Sequence, residues 1–203
     1  MEYDKKKQKK VKSGSTGPNH EGDVWIYTGV KRASYLFLAY SLGSRTRDVC
    51  KDMVEQVFIR TQLPTPNNKI EVFSDGNDEY TAVLAEFYTE SCLNYGQVIK
   101  IRERGKVVEK IKKPVFGNPN IHEIETTDVE NFNSILRERL GRLVRKTKCI
   151  SKQKAGLNSA LGLFQFHWNW MDPLPCKKTP IMIETLSDHI WTWHEFLFHH
   201  YAV

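Results

Sequence analysis

The chain has 203 residues, 40% of them hydrophobic, and a formal net charge of +6, which is enough apolar material for one sizeable core in a soluble protein. Its longest apolar runs are far shorter than the roughly 20 residues that a membrane-spanning helix needs, so a transmembrane protein is excluded. The first 20 residues are charged and contain no apolar stretch, so we expect no signal peptide and a cytoplasmic location.

The N-terminal half predicts an arm followed by alternating strands and helices. Residues 1–22 are rich in lysine and contain Ser-Gly-Ser-Thr-Gly-Pro, which predicts a basic flexible arm or loop. The β-branched and aromatic segments Val24–Val30 and Ser34–Leu42 predict an antiparallel hairpin. Apolar spacing then predicts a helix over Arg47–Arg60. A short strand over residues 69–74 and a helix over residues 79–90 follow.

The C-terminal half predicts two strands and then helices. The strands cover Gln97–Arg102 and Lys106–Val115. The strongest helical pattern runs from about Asp128 to Lys146, with an apolar stripe on one side and arginines on much of the other. Two further helices are predicted over Gly156–Trp170 and over Ser187–His200. Together these elements predict an α/β fold with a mixed sheet flanked by helices.

Charge is divided unevenly along the chain. The lysine-rich start carries +4, Lys100–Lys113 carries +5 and Arg137–Lys154 carries +7, which leaves the rest at −10. This division predicts that a polyanion is contacted at some places and that carboxylates gather at others. Solvated helix faces explain the charge pattern alone equally well.

Three acidic residues lie at the end or start of predicted strands and helices, where carboxylates can act as catalytic groups or metal ligands. Asp75 ends a predicted strand in Ser-Asp-Gly, where α/β sheets collect ligand-binding groups, although an Asp-Gly turn is the structural alternative. Glu130 lies in the first turn of the long helix, where Thr127 to Glu130 also fits a capping box. For Asp23, which opens the first strand, the structural interpretation is favoured. Carboxylates from a strand end and a helix start are hard ligands for Mg²⁺ or Mn²⁺, ions that promote in-line displacement at phosphorus.

The cysteines and histidines point to no metal site. Cys50, Cys92, Cys149 and Cys176 form no C-x-x-C pair, which argues against a zinc ribbon and predicts reduced, half-buried thiols. The histidines near the C-terminus have no spacing suited to a helical metal pair.

An ordered set of eight short motifs resembles the transposases of the insertion sequence one family, and the resemblance covers about Gly22 to Leu197. The motifs are Leu42-Gly43-Ser44-Arg45-Thr46, Ser74-Asp75-Gly76, Val98-Ile99-Lys100-Ile101, Gly117-Asn118-Pro119, Val129-Glu130-Asn131-Phe132-Asn133, Ile150-Ser151-Lys152, Thr179-Pro180-Ile181-Met182 and Asp188-His189-Ile190-Trp191. Members of this family are DDE-type enzymes with a ribonuclease H-like fold.

The resemblance implies a function and a site. It implies that residues 23–203 form a catalytic domain with a C-terminal helical tail, and that Asp75 and Glu130 are catalytic carboxylates that bind Mg²⁺ or Mn²⁺. The substrate would be double-stranded DNA, both at the ends of the element and at the target. The active assembly would be a homo-oligomer associated with the nucleoid. The resemblance implies no membrane partner and no small-molecule substrate. Candidate phosphate contacts are Arg137, Arg139, Arg142, Arg145, Lys146 and Lys148.

The sequence departs from the family pattern in two respects. Position 131 is Asn where the family usually has Arg. The family's first catalytic Asp lies on an earlier strand in a D-E-x-W-type box, and that box is absent from this sequence. Only two strands are predicted before Arg47, so we expect the first strand of the ribonuclease H-like sheet to be missing. Residues 1–12 would then correspond to the end of that strand and the basic loop after it. Asp23 is a poor substitute, because it would open the second strand.

These features predict a DDE transposase that cleaves DNA strands and transfers them in a metal-dependent reaction. The alternative is a truncated, catalytically inactive transposase fragment that only binds DNA. A resolvase or a ribonuclease on the same fold would share the carboxylates but would not explain the whole ordered set of motifs.

Overall fold

A computed structural model describes residues 2–4, 23–144, 151 and 153–199. Within this part, the chain divides into two compact units, which are described separately. The first unit is built mainly from Asp23–Gly29 and Leu38–Ser134. The second unit is built mainly from Val30–Phe37 and the described residues from Ile135 onward.

The first sheet has three strands in the order β1-β2-β3: β1 (Glu2–Asp4), β2 (Asp23–Lys31) and β3 (Leu36–Gly43). The predicted hairpin is therefore confirmed as β2 and β3. Three strands therefore precede the first helix where the sequence pattern predicts two, and β1 lies at the start of the predicted arm, where the family resemblance implies the end of the first strand. Three residues are too few to show the alternation of a strand, and lysines follow them directly. The remaining residues of the arm lie outside the described part.

Two helices cover one core in the first unit. Helix α1 (Arg47–Arg60) has the predicted bounds, and α2 (Asp78–Phe87) ends three residues before its predicted end. Both helices bury apolar side chains against the strands, and a fully buried side chain of this kind contributes about 1.5–3 kcal/mol. The buried cluster consists of Tyr27, Ala39, Cys50, Met53, Val54, Val83, Leu84, Tyr88, Leu93 and Tyr95.

The second sheet combines parallel and antiparallel pairing. Strand β4 (Ile70–Asp75) pairs in parallel with β5 (Leu93–Glu103), which pairs antiparallel with β6 (Lys106–Phe116). Strand β5 begins four residues earlier than predicted, because Gly96 interrupts its pattern of β-forming residues. The predicted class of a mixed sheet with helices is confirmed at this coarse level.

Helix α3 (Thr127–Arg139) is shorter than predicted. The predicted continuation to Lys146 is wrong, since the chain leaves the helix at Leu140 and forms one 3₁₀ turn at Gly141–Leu143. Glycine disfavours a helix interior by about 1 kcal/mol relative to alanine, which explains why the helix ends here. Phe132 in the middle of α3 is fully buried.

The second unit is helical. Helix α4 (Lys154–Phe166) widens into a π-helical turn at His167–Met171, and the short helices α5 (Pro180–Ile183) and α6 (Trp193–Phe198) follow. The predicted tail helix begins only at Trp193, after a capping box. No helix within the described ranges is long and apolar enough to cross a membrane.

One buried amide ties the second unit together. The Asn169 side chain accepts a hydrogen bond from the Phe37 backbone N–H at 2.9 Å and donates to the Phe37 carbonyl at 3.0 Å. It thereby satisfies both backbone groups of a buried residue, as a neighbouring strand would. The Trp168 indole donates to the Tyr35 carbonyl in the same region, at 2.9 Å.

Candidate functional site

The candidate site in the first unit begins where β4 ends. Asp75 is the last residue of β4, and it is exposed. Its Oδ1 accepts a hydrogen bond from the backbone N–H of Asn77 at 3.4 Å. This contact is that of the Asp-Gly turn considered from the sequence, so Asp75 shapes the turn and still presents its carboxylate to solvent.

A buried chain of hydrogen bonds fixes the end of β4 from beneath. The Gln97 amide donates to the Tyr95 phenol oxygen at 2.9 Å, that oxygen lies 2.7 Å from Ser74 Oγ, and Ser74 Oγ donates to the Asp75 carbonyl at 2.8 Å. Tyr95 is completely buried, and burial raises the pKa of its phenol, so Tyr95 stays neutral. The backbone that carries Asp75 is therefore held by a network that is satisfied without Asp75's own carboxylate.

Glu130 lies in the first turn of α3, as predicted. Its backbone N–H donates to the Thr126 carbonyl at 3.0 Å, and its carboxylate accepts a hydrogen bond from the Thr126 hydroxyl at 2.5 Å. The Thr127 hydroxyl instead donates to Glu125. The arrangement is thus not the capping box that Thr127 and Glu130 would form, so the carboxylate of Glu130 is available for other contacts.

Lys100 of β5 forms an ion pair with Glu130. Partial burial acts to raise the pKa of the Glu130 carboxyl, but hydrogen bonds from Lys100 and Thr126, with the charges of Lys100 and Lys110, outweigh it and lower the pKa. Glu130 is therefore an anion at neutral pH, and a lysine ammonium is already attracted to it.

Strand register brings the two predicted carboxylates to one face of the second sheet. Asp75 is the direct partner of Val98, and Lys100 lies two residues further along β5. Because side chains alternate across a strand, Asp75, Val98 and Lys100 share a face. Glu130 contacts Lys100 and so lies over that same face.

Two hydrogen bonds join β2 to the elements that carry Asp75 and Glu130. The Thr28 hydroxyl donates to Asn133 Oδ1 at 3.1 Å, one helical turn after Glu130. The Asn77 amide reaches the Tyr27 phenol at 3.5 Å. Thr28 and Tyr27 are neighbours on β2, so the helix that carries Glu130 and the turn after Asp75 are both tied to this strand. The sequence predicts none of these positioning contacts, since their partners are distant along the chain.

The predicted phosphate contacts belong to the second unit. Arg139 forms an ion pair with Asp172, and its guanidinium carbon lies 5.6 Å from the centroid of the Trp168 ring, within reach of a cation–π contact. Arg142 donates to the Gly156 carbonyl at 3.3 Å. Arg137 is half-buried. Three more of the set, Arg145, Lys146 and Lys148, lie outside the described residues. Arg139 and Arg142 thus already have partners within the protein. A DNA phosphate would have to compete with those partners for the two arginines.

The remaining candidates add no ligand to the site. Among the described residues, no three His, Cys, Asp or Glu side chains converge as a metal site. Of the thiols, Cys50 is buried, Cys92 half-buried and Cys176 exposed, so the half-buried state predicted for all of them holds only for Cys92, and Cys149 is outside the described part. Asp23 opens β2, as predicted. No protein-family model, curated protein or solved structure matches this chain.

Proposed function

We propose that this chain is the catalytic domain of a DDE-type DNA transposase of the insertion sequence one family, with a ribonuclease H-like fold. The observation that carries the proposal is the placement of Asp75 and Glu130 over one face of the second sheet. Both residues are those that the family resemblance selects, and they come from the strand end and the helix start that the resemblance requires.

The order of elements supports the ribonuclease H-like fold. Such a sheet begins with three antiparallel strands before its first helix, and β1, β2 and β3 precede α1 in this chain. A strand pairing in parallel with its successor follows, as β4 pairs with β5. The order of β1 to β5 therefore agrees with the motif resemblance, in addition to the two carboxylates.

The donor chemistry fits a divalent cation. Asp75 and Glu130 offer carboxylate oxygens, the ligands that Mg²⁺ and Mn²⁺ prefer. Glu130 is ionised at neutral pH, and its ion pair with Lys100 is consistent with a carboxylate that attracts cations. When bound, the metal would activate the attacking oxygen and stabilise the leaving oxygen at phosphorus.

The protein's own contribution is to hold these groups in place. Thr126 and Lys100 orient the Glu130 carboxylate, and the Ser74–Tyr95–Gln97 chain fixes the backbone of Asp75. Preorganised ligands lose little conformational freedom when they bind a charged substrate. Lys100 balances the negative charge of Glu130 and can then contact a DNA phosphate.

The test compares cleavage and binding in carboxylate variants. The substrate is a labelled DNA duplex carrying the element ends, incubated with Mg²⁺ or Mn²⁺ for cleavage and with EDTA for binding. We expect Asp75→Asn and Glu130→Gln, each made in an enzyme completed with the strand that carries the family's first catalytic Asp, to abolish strand cleavage and to leave binding in EDTA unchanged. Glu125→Gln is the matched control, because Glu125 pairs with Lys112 and its side chain is as exposed as that of Glu130, 48%.

Two results would count against the proposal. Cleavage that survives Asp75→Asn or Glu130→Gln would remove these residues from the catalytic role. DNA binding by the wild-type chain without any metal-dependent cleavage would favour the alternative of a protein that only binds DNA. An RNA–DNA hybrid and a four-way junction, assayed in parallel, separate a ribonuclease or a resolvase from a transposase.

A further inference from the structure

Strands β5 and β6 continue beyond the end of β4 as a two-stranded ribbon. The last residue of β4, Asp75, pairs with Val98, while β5 runs on to Glu103. We call Lys100–Lys113 the ribbon, with Arg104 and Gly105 at its tip. From Ile99 to Glu103 the extension is about 17 Å long, at the usual rise of a strand.

Both faces of the ribbon lie open. Every residue from Ile101 to Ile111 is exposed, although the side chains alternate between the two faces. Apolar side chains are included, with Val108 at 55% and Val107 at 42% exposure. An isolated two-stranded hairpin is marginally stable in water. A partner that contacts the ribbon directly would therefore stabilise it.

The charge of the ribbon selects the kind of partner. Its 14 residues include seven basic and two acidic side chains, a net charge of +5. The ion pairs of Lys100 with Glu130 and of Lys112 with Glu125 lie at its base. Toward the tip, Arg102, Arg104 and Lys106 are exposed. The positive charge therefore extends from the candidate site to the end of the ribbon.

The tip turn presents an arginine in an unfavourable backbone conformation. Arg104 has φ 47° and Gly105 has φ 81°, so both central residues of this two-residue turn are left-handed. Such turns favour asparagine followed by glycine, because asparagine tolerates the left-handed region better than longer side chains do. Replacing Arg104 by asparagine should therefore remove a charge and keep or improve the turn.

We propose that the tip of the ribbon, through Arg102, Arg104 and Lys106, binds the phosphates of duplex DNA. A two-stranded ribbon has the width that the major groove admits, and phosphate neutralisation needs flexible cations rather than a rigid pocket. The choice of DNA as the polyanion rests on the proposed function. Arg102 shares the face of Lys100, whereas Lys106 is the partner of Glu103 on the other face. DNA that contacts the Arg102 face would lead toward Asp75 and Glu130.

The test is salt-dependent binding of a labelled 30-base-pair duplex in EDTA, measured by fluorescence anisotropy. The ribbon variant carries Arg102→Gln, Arg104→Asn and Lys106→Gln. The matched control carries Arg32→Gln, Lys177→Asn and Lys178→Gln, which are exposed cations of the second unit outside the three basic segments. Lys177 also has a left-handed φ of 61°, so the control repeats both the charge change and the asparagine substitution.

We expect the ribbon variant to flatten the plot of log K against log salt by about 2 to 3, because each lost phosphate contact removes about 0.9 from the slope. The control should keep the wild-type slope. Equal slopes for the ribbon variant and the control would overturn the inference, as would an equally strong and equally ribbon-dependent interaction with poly-glutamate, which would indicate a general acidic partner.

The two proposals fail in different ways. Binding in EDTA requires no metal and no cleavage, so a ribbon-dependent slope in a protein that never cleaves DNA would support the ribbon and refute the transposase activity. Metal-dependent cleavage by a ribbon variant with a wild-type salt slope would support the activity and refute the ribbon. Circular dichroism of each variant confirms that it is folded.

Discussion

Gly96 allows the segment before α3 to pack closely against β5. A Cβ atom added at Gly96 would lie 2.7 Å from both Cδ1 and Cγ1 of Ile124. Ile124 is completely buried and precedes the segment that leads to Thr126 and Glu130. Gly96→Ala should therefore push this segment off the sheet and displace the Glu130 carboxylate.

The size of the effect follows from the crowding. Forcing an extra methyl group into a packed core typically costs about 1–3 kcal/mol, and for a chain of this length each kcal/mol lowers Tm by about 2–4 °C. We expect Gly96→Ala to lower the free energy of unfolding, measured by urea denaturation, by that amount. Gly141→Ala is the control, since a Cβ atom there meets nothing within 4 Å, and it should be neutral or slightly stabilising.

A double-mutant cycle with Ile124 tests the stated cause. Ile124→Ala alone should destabilise by about 2–5 kcal/mol through the cavity it leaves. In the double variant the new methyl group at position 96 fills part of that cavity, so the combined loss should be smaller than the sum of the two single losses. Strict additivity, or a Gly96→Ala protein as stable as the wild type, would refute the packing argument.

Two further predictions concern hydrogen bonds, one in the core of the first unit and one in the C-terminal segment around His189. Tyr95→Phe removes the central hydroxyl of the buried chain beneath Asp75, so urea denaturation should show a loss of about 1–3 kcal/mol, and wild-type stability would contradict that network. Hydrogen bonds to Asp188 and then Glu195 raise the pKa of His189, so the charged imidazole stabilises the tail fully below its unfolded pKa of about 6.5 and loses this effect as the pH rises through the raised value. NMR titration of the tail should show this loss, and His189→Gln should abolish it; an unchanged profile in that variant would contradict the assignment.

The elements with clear periodicity are predictable from the sequence, and those that depend on contacts are not. Helix α1 has its predicted bounds because its apolar spacing is regular and polar loops flank it. Strand β1 is too short to carry a pattern of alternating residues. Strand β5 contains Gly96, where a side chain would clash with Ile124, and this contact between residues distant along the chain cannot be predicted from the local sequence. The predicted long helix ends before Gly141. The low helix propensity of glycine outweighs the apolar stripe, which continues beyond this residue.

The candidate site is predictable in its residues and unpredictable in its support. Asp75 and Glu130 stand out because each follows a recognisable strand end or helix start. Lys100 belongs to one of the quoted motifs, but its ion pair with Glu130 depends on how β5 lies against α3. Tyr95 has the appearance of an ordinary core residue in sequence, and only the fold brings its hydroxyl to Ser74.

Strand β5 contains two regions of different local stability. Most of Leu93–Val98 is buried, whereas Ile101–Glu103 within the ribbon are exposed on both faces. Amide hydrogens of the first region should exchange with solvent only when the whole unit unfolds, and those of the ribbon by local opening at much lower free energy. A ligand can therefore order the ribbon, and be detected by slowed exchange there, without altering the stability of the core from which it extends.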